Sequence, residues 1–123
     1  MIVRNPARES VLGSAIEVAG TSASRAKGLL GRDHIAAGEG LLFKKCSSLH
    51  TFFMRFPIDI IFADRDCRVL KVSKAVGPFR LVAAPLRAHY ALELPTGSID
   101  VSQTREGDIL LFEEEVTAVD LAS

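Results

Sequence analysis

The sequence has no excess of charge of either sign. Lysine and arginine together number 15, aspartate and glutamate together also number 15, and the formal net charge at pH 7 is zero. A balanced chain creates no overall electrostatic field that would attract nucleic acid or an anionic membrane. We therefore predict that nucleic acid is not a partner of this protein.

Long apolar runs are also absent. No stretch approaches the roughly 18 consecutive apolar residues that indicate a membrane span. The first residues, Met1 to Glu9, lack the apolar centre of a secretory signal. These two absences predict a cytoplasmic protein with no membrane span.

Cysteine is scarce, and the common catalytic and cofactor motifs are missing. Cys46 and Cys67 are the two cysteines, and they form no CxxC pattern, which favours reduced thiols over a disulfide. The sequence contains no Gly-x-Ser-x-Gly, which argues against a serine hydrolase. Its glycine-rich segments do not have the spacing that cradles phosphates. No cofactor is predicted.

What is present predicts one globular β domain spanning residues 1–123. Apolar residues make up 48% of the 123 and charged residues 24%, which is typical of a soluble globular chain. Short apolar runs separated by turn residues predict a mainly β fold, a single-domain β-sandwich or barrel-like structure with one short α-helix, rather than βαβ units. The helix is expected between residues 22 and 30. The strands are expected at Val11–Ala19 and at 40–45, 48–56, 58–63, 67–76, 79–84, 88–94 and 107–113, with Asp64–Asp66 closing a hairpin that pairs Ile58–Phe62 with Arg68–Val72.

Two carboxylates lie within apolar strands. Asp59 stands in Pro-Ile-Asp-Ile-Ile-Phe and Glu93 in Ala-Leu-Glu-Leu-Pro. An ionised carboxylate in such surroundings needs partners, because burying it unpaired costs several kcal/mol, of the order of 3–5. The preceding segment, Ser48 to Phe56, is apolar on both faces of a strand except at His50 and Arg55, which predicts a strand covered on both sides.

These polar exceptions define the candidate site. The leading hypothesis is a non-enzymatic module that binds a small molecule or peptide in a cleft lined by His50, Arg55, Asp59, Arg80 and Glu93. An alternative is a hydrolase-like enzyme that uses Asp59 with Glu93 or His50 as an acid/base pair. The simplest competing interpretation is structural: each carboxylate fixes a turn or bulge through hydrogen bonds from backbone N–H groups.

A soft-metal site is a further alternative. Cys46, His50 and Met54 are separated by three residues each and offer the thiolate, imidazole and thioether ligands that suit copper, with His34 as a fourth candidate. In a regular strand Cys46 and Met54 would be roughly 26 Å apart, so one ion contacts all three only if the segment turns. Otherwise Cys46 and Met54 pack in the core and His50 is hydrogen-bonded within a sheet.

Several segments together resemble a known family. In chain order they are Arg25–Arg32, Gly40–Phe43, His50–Phe62, Gly77–Arg80, Leu92–Gly97 and Gly107–Asp108. They resemble a family of small bacterial and archaeal proteins catalogued as domain of unknown function 192, over about residues 11 to 113. The resemblance implies a compact β-sandwich-like domain and no established activity. It also implies export for many members, whereas the N-terminus here lacks such a signal.

Overall fold

The computed structural model describes residues 1–19, 34–44, 48–50 (backbone only), 56–78 and 80–114. The predicted helix between residues 22 and 30 lies outside this part. A short 3-10 helix covers Pro6–Arg8, and one α-helix, α1, covers Ser98–Ser102. The strands are β1 (Ile2–Asn5), β2 (Ser10–Gly13), β3 (Ala15–Ala19), β4 (Glu39–Lys44), β5 (Ser48–His50), β6 (Ile58–Ala63), β7 (Val69–Val76), β8 (Leu81–Ala83), β9 (Tyr90–Pro95) and β10 (Leu111–Glu113). The predicted mainly β class is confirmed.

The strands form three sheets. The largest has the order β3-β4-β9-β6-β7, a second has the order β10-β1-β2, and β5 pairs with β8 alone. Among the described strands the two larger sheets are open, so the form is that of a sandwich rather than a closed barrel. All pairs are antiparallel except β3 and β4, which are parallel. This parallel pair was not predicted from the sequence.

The five-stranded sheet is covered on both faces. All six residues of β6 are buried, and they alternate between two clusters of apolar side chains. One cluster defines what we call the Ile60 face (Leu41, Phe43, Ile58, Ile60, Phe62 and Ala91), against which Val82 of β8 packs. The other defines the Ile61 face (Ile16, Leu42, Ile61, Val69, Leu92 and Leu94), against which Val3 and Leu12 of the three-stranded sheet pack.

The prediction of a single strand from Val11 to Ala19 is wrong. The chain forms β2 and β3, which belong to different sheets and are separated at Ser14. The backbone N–H groups of Ser14 and Ala15 both donate to the carbonyl of Gly38, at 3.0 and 2.8 Å, which holds the break in place. Gly13 allows this close approach, because a Cβ there would lie 2.9 Å from the same carbonyl oxygen.

The hairpin between β6 and β7 is confirmed, with a different register. Asp64 accepts hydrogen bonds at Oδ1 from the N–H groups of Asp66 and Arg68, at 2.9 and 3.0 Å, which stabilises the turn. The pairing places Phe62 opposite Lys71 rather than opposite Arg68, the position that the prediction implied. The difference arises because the Asp64 N–H donates to the Arg68 carbonyl at 3.0 Å, which centres the turn one residue later, and because the pairing shifts once more between Phe62 and Ala63.

The strand predicted from Ser48 to Phe56 is seen in part. Its first three residues form β5, residues 51–55 lie outside the described part of the chain, and Phe56 is at a bend just before Pro57. The described partner of β5 is β8, in a two-stranded sheet. The strand that is demonstrably covered on both sides is β6, the next strand along the chain.

A buried polar network joins β1 to the loop before β10. Asn5 Nδ2 donates to Thr104 Oγ1 at 3.1 Å and to Asp108 Oδ2 at 3.0 Å. The Arg8 guanidinium donates to both oxygens of Asp108, and the backbone N–H of Arg105 donates to Oδ2. Burial alone would raise the pKa of Asp108, but these hydrogen bonds and the charge of Arg8 outweigh it and lower the pKa from 3.8 to about 2.

Candidate functional site

Asp59 is a buried carboxylate with three backbone partners. It is 1% exposed and is the second residue of β6, a strand whose six residues are all buried. Its Oδ1 accepts from the N–H of Ala75 at 2.9 Å, and its Oδ2 accepts from the N–H groups of Gly97 and Ile99, at 3.2 and 2.9 Å. Three N–H donors satisfy the charge without any cation.

These three donors come from places where the backbone leaves its regular ladder. Ala75 has a φ of 48°, in the left-handed region, at an irregularity in the pairing of β6 with β7. Gly97, with a φ of 95°, precedes the first residue of α1, and Ile99 lies in its first turn. Asp59 therefore links a bulge to the start of a helix, as the structural interpretation of the carboxylates predicts.

Glu93 is a buried carboxyl in entirely different surroundings. It lies in β9 directly opposite Leu41 of β4 and Ile60 of β6 and is 5% exposed. Among the described residues its side chain has no hydrogen-bond or ion-pair partner. Burial raises the pKa of Glu93 from 4.5 to about 7, so that near neutral pH the carboxyl group is divided between its acid and its ionised form.

Asp59 and Glu93 lie on opposite faces of the five-stranded sheet. Asp59 alternates with Ile60 and shares the Ile61 face, where its partner Ile99 is also buried. Glu93 is in register with Ile60 and shares the Ile60 face. The structure therefore does not bring the two carboxylates together, and the pair of Asp59 with Glu93 that the sequence offered is not formed. The side chain of His50, the other partner offered for Asp59, lies outside the described part of the structure.

The remaining candidates lie near the two-stranded sheet. Val82, Ala84 and Ala88 pack against the Ile60 face, so β8 is on the same side of the central sheet as Glu93. His50 is the end of β5 and is paired with Leu81, and Arg80 is exposed just before β8. Arg55 lies outside the described residues. Of the five predicted site residues, Glu93, His50 and Arg80 are thus in elements on one side, and Asp59 is on the other.

Sequence reasoning did not single out Lys71, which lies on the Ile60 face. It is directly opposite Phe62, its Nζ is 5.9 Å from the centre of the Phe62 ring, and it donates to the carbonyl of Ala83 at 3.1 Å. The only signal was a lysine between Leu70 and Val72 in a predicted strand. An ammonium group over an aromatic ring is a favourable cation–π arrangement.

The described residues contain no cluster of three or more His, Cys, Asp or Glu side chains suited to a metal ion. Cys46 and Met54 of the predicted soft-metal site lie outside the part that the structure describes, and His34 is exposed. Cys67 is a free thiol whose pKa is raised by burial and by the charges of Asp64 and Asp66, which disfavours the reactive thiolate. No helix in the described ranges is long and apolar enough to cross a membrane.

Three curated archaeal proteins are similar to this chain, and all are UPF0127 proteins. The one from Thermococcus sibiricus is 36% identical over 69 residues, which is 56% of this chain and 44% of that protein. TK1120 of Thermococcus kodakarensis is 35% identical over 80 residues, 63% of this chain and 50% of that protein. PH1112 of Pyrococcus horikoshii is 37% identical over 62 residues, 50% of this chain and 53% of that protein. The chain thus spans about half the length of the curated relatives it matches.

Two solved structures have a similar fold, and a family model matches most of the chain. A crystal structure of a protein of unknown function from Novosphingobium aromaticivorans superposes with a TM-score of 0.73 at 25% identity, covering 90% of this chain and 82% of that one. A proposed transcription regulator from Sinorhizobium meliloti gives a TM-score of 0.76 at 20% identity, covering 89% of both chains, and shows the fold alone. The model of DUF192, described as "Uncharacterized ACR", matches residues 3–112. With that match over nearly its whole length, the chain belongs to the DUF192 family.

Proposed function

We propose that this protein is a non-enzymatic binding module whose ligand sits on the Ile60 face and contacts Glu93. The observation that carries the proposal is the state of the Glu93 carboxyl. It is nearly enclosed by apolar side chains, its pKa is raised to about 7 by burial, and it has no partner among the described residues. A group from outside the chain would satisfy it.

An unpaired buried carboxyl weakens the fold, and sequences commonly tolerate such a conflict at functional positions. Buried groups with strongly shifted pKa values are also concentrated at such positions. Asp59 shows that this fold can provide backbone donors to a buried carboxylate where one is needed for structure. Among the described residues no donor of this kind is found for Glu93, which supports a role in binding rather than in packing.

The surroundings of Glu93 define the ligand in outline. Leu41, Ile60 and the neighbouring aromatic side chains of the same cluster favour an apolar body, and the carboxyl provides one polar contact. Ligand sites of this kind combine a mainly apolar lining with a few polar groups that fix orientation. The module would therefore take a small, mainly apolar molecule with one polar end.

A titration followed by ¹H–¹⁵N NMR tests the proposal. Hexan-1-ol and hexylamine serve as probes, because they share an apolar body and differ only in the polar end. We expect saturable shifts in the amide signals of Leu41, Ile60 and Glu93. The signals of Val3 and Leu12, on the other side of the central sheet, should stay unchanged and serve as an internal control. If neither probe shifts the Ile60-face signals selectively, the proposed function is wrong.

A further inference from the structure

We infer that the polar end of the ligand bound at Glu93 is an organic ammonium group. This inference rests on the proposed function and deepens it, since it names the chemical class that the site selects. It follows from two features of the Ile60 face: the acceptor chemistry of Glu93 and the neighbouring aromatic rings.

The first feature is the acceptor chemistry. An ionised carboxylate accepts hydrogen bonds at two oxygens and donates none, whereas an ammonium group donates three and accepts none. In a nearly enclosed site such a pair is strengthened by the low local dielectric, and it relieves the penalty of the unpaired charge. A ligand with a carboxylate or phosphate end would place a second negative charge beside Glu93, which is unfavourable.

The second feature is the group of aromatic rings near Glu93. Phe43 and Phe62 are buried in the cluster that forms the Ile60 face, and Phe56 packs against it. The faces of aromatic rings attract cations, and binding sites for organic ammonium ions are commonly lined by such rings. The face already holds one ammonium in this way, because Lys71 Nζ lies 5.9 Å from the centre of the Phe62 ring.

Binding of an ammonium requires the ionised form of Glu93, so it is linked to proton release. Near neutral pH the protonated acid gives its proton to the buffer, and the resulting carboxylate pairs with the ligand's R–NH₃⁺ group. No covalent bond of the ligand changes, and the charge lost as H⁺ balances the charge gained on the carboxylate. Because burial raises the pKa of Glu93 to about 7, the ionised fraction increases about tenfold between pH 6 and pH 8.

The test compares the same two probes by NMR at pH 6, 7 and 8. Hexylamine remains an ammonium ion throughout this range, and hexan-1-ol is neutral. We expect the Kd of hexylamine to fall about tenfold from pH 6 to pH 8, following the ionised fraction. Hexan-1-ol should bind with nearly constant or slightly weaker affinity as the pH rises. Calorimetry in two buffers that differ in ionisation enthalpy should show release of about half a proton per hexylamine bound at pH 7.

Two variants complete the test. Glu93→Gln keeps the size of the side chain but removes its charge, and it should abolish the proton release and the pH dependence while hexan-1-ol still binds. Glu106→Gln removes an exposed carboxylate from a turn and should change neither. Native-like amide spectra of both variants would establish that each is folded.

The outcomes separate the inference from the proposed function. If hexan-1-ol shifts the Ile60-face signals and hexylamine binds no better at pH 8 than at pH 6, the ammonium inference is overturned and the binding module stands. The same conclusion follows if Glu93→Gln binds hexylamine with unchanged affinity and pH dependence. If neither probe binds at this face at any pH, the proposed function itself fails.

Discussion

Replacing Asp59 by asparagine should destabilise the protein strongly. The carboxylate presents two acceptor oxygens, one to Ala75 and one to Gly97 and Ile99. An asparagine amide has a single oxygen. If that oxygen faces Gly97 and Ile99, the NH₂ group points at the N–H of Ala75, so one buried donor faces another donor. The reverse orientation leaves two N–H groups at the start of α1 without an acceptor.

The expected loss follows from these contacts. A hydrogen bond to a charged group contributes about 1.5 to 3 kcal/mol, and a buried donor left without a partner carries a penalty of its own. In the better orientation of the amide, one bond is lost and two become weaker, which gives a loss of about 2 to 4 kcal/mol in the free energy of unfolding. For a domain of this size that corresponds to a decrease in Tm of about 10 °C.

Urea unfolding and a thermal melt of wild type and Asp59→Asn measure the effect. Asp100→Asn is the matched control, since Asp100 is an aspartate in α1 that is 69% exposed and pairs with Lys74. Removing that charge should change the free energy of unfolding by at most about 1 kcal/mol. If Asp59→Asn is as stable as the control, the three backbone contacts are not what holds the bulge and the helix in place, and this explanation of Asp59 is refuted.

Three other predictions concern stability. Burial raises the pKa of Glu93 from 4.5 to about 7, so the stability that the protonated carboxyl contributes is present below pH 4.5 and is lost as the pH rises to 7. Between these pH values the free energy of unfolding of the wild type, measured in urea, should fall by about 3 kcal/mol relative to that of Glu93→Gln. Parallel pH profiles of the two proteins would contradict this prediction. The contribution of Asp108 to stability changes with pH in the opposite direction, because the pKa of Asp108 is lowered from 3.8 to about 2. That contribution is present above pH 3.8 and is lost as the pH falls towards 2. The stability advantage of wild type over Asp108→Asn should therefore shrink by about 1 to 2 kcal/mol between pH 5 and pH 2, and an unchanged advantage would argue against the network. Gly40→Ala would place a Cβ 2.7 Å from the Glu93 backbone carbonyl oxygen, whereas a Cβ at Gly77 meets nothing within 4 Å. In chemical unfolding, Gly40→Ala should therefore lower the free energy of unfolding by about 2 kcal/mol and Gly77→Ala by less than about 1 kcal/mol. Equal effects would show that the sheet can shift to accept the methyl group.

The strands that the sequence predicts well are those defined by local signals. The strand at residues 58–63 is observed with those bounds, as β6, because Pro57 excludes itself from the ladder and Asp64 begins a turn. The hairpin to β7 follows from the same turn chemistry. Alternation of apolar residues also identifies β9, although the observed strand is Tyr90–Pro95 and the predicted one was 88–94.

What the sequence does not predict depends on contacts between distant residues. Nothing local shows that the chain changes sheets between Gly13 and Ala15, since the break depends on the carbonyl of Gly38. α1 was missed because five residues carry too little periodicity to indicate a helix, and Asp59, 40 residues away from Ile99, supplies the acceptor for its first turn. When the free backbone N–H groups at the start of a helix donate to a side chain from a distant strand, the sequence of the helix itself contains no capping signal.

The placement of Asp59 and Glu93 on opposite faces of the sheet is the clearest example of a feature that the sequence does not predict. Each carboxylate lies between two apolar residues in a buried strand, so the two look equivalent in sequence. Their faces depend on how β6 and β9 align, and the structure pairs Asp59 with Leu94 and Ile60 with Glu93. A shift of one residue in this register would place both carboxylates on the same face of the sheet. Side-chain alternation is local, but register is set by the whole sheet.

The same alignment explains why one carboxylate is satisfied and the other is not. Asp59 lies beside a bulge and a helix start, where backbone N–H groups are released from the regular ladder and can donate to it. Glu93 lies in β9 between β4 and β6, and regular antiparallel pairing on both sides commits the backbone donors around it to neighbouring strands. Within the described structure the sheet therefore has no donor to offer Glu93. Apart from the residues that the structure does not describe, the groups that can satisfy this carboxyl are a proton, water, or a donor carried by a ligand, and the last of these is the one that we propose.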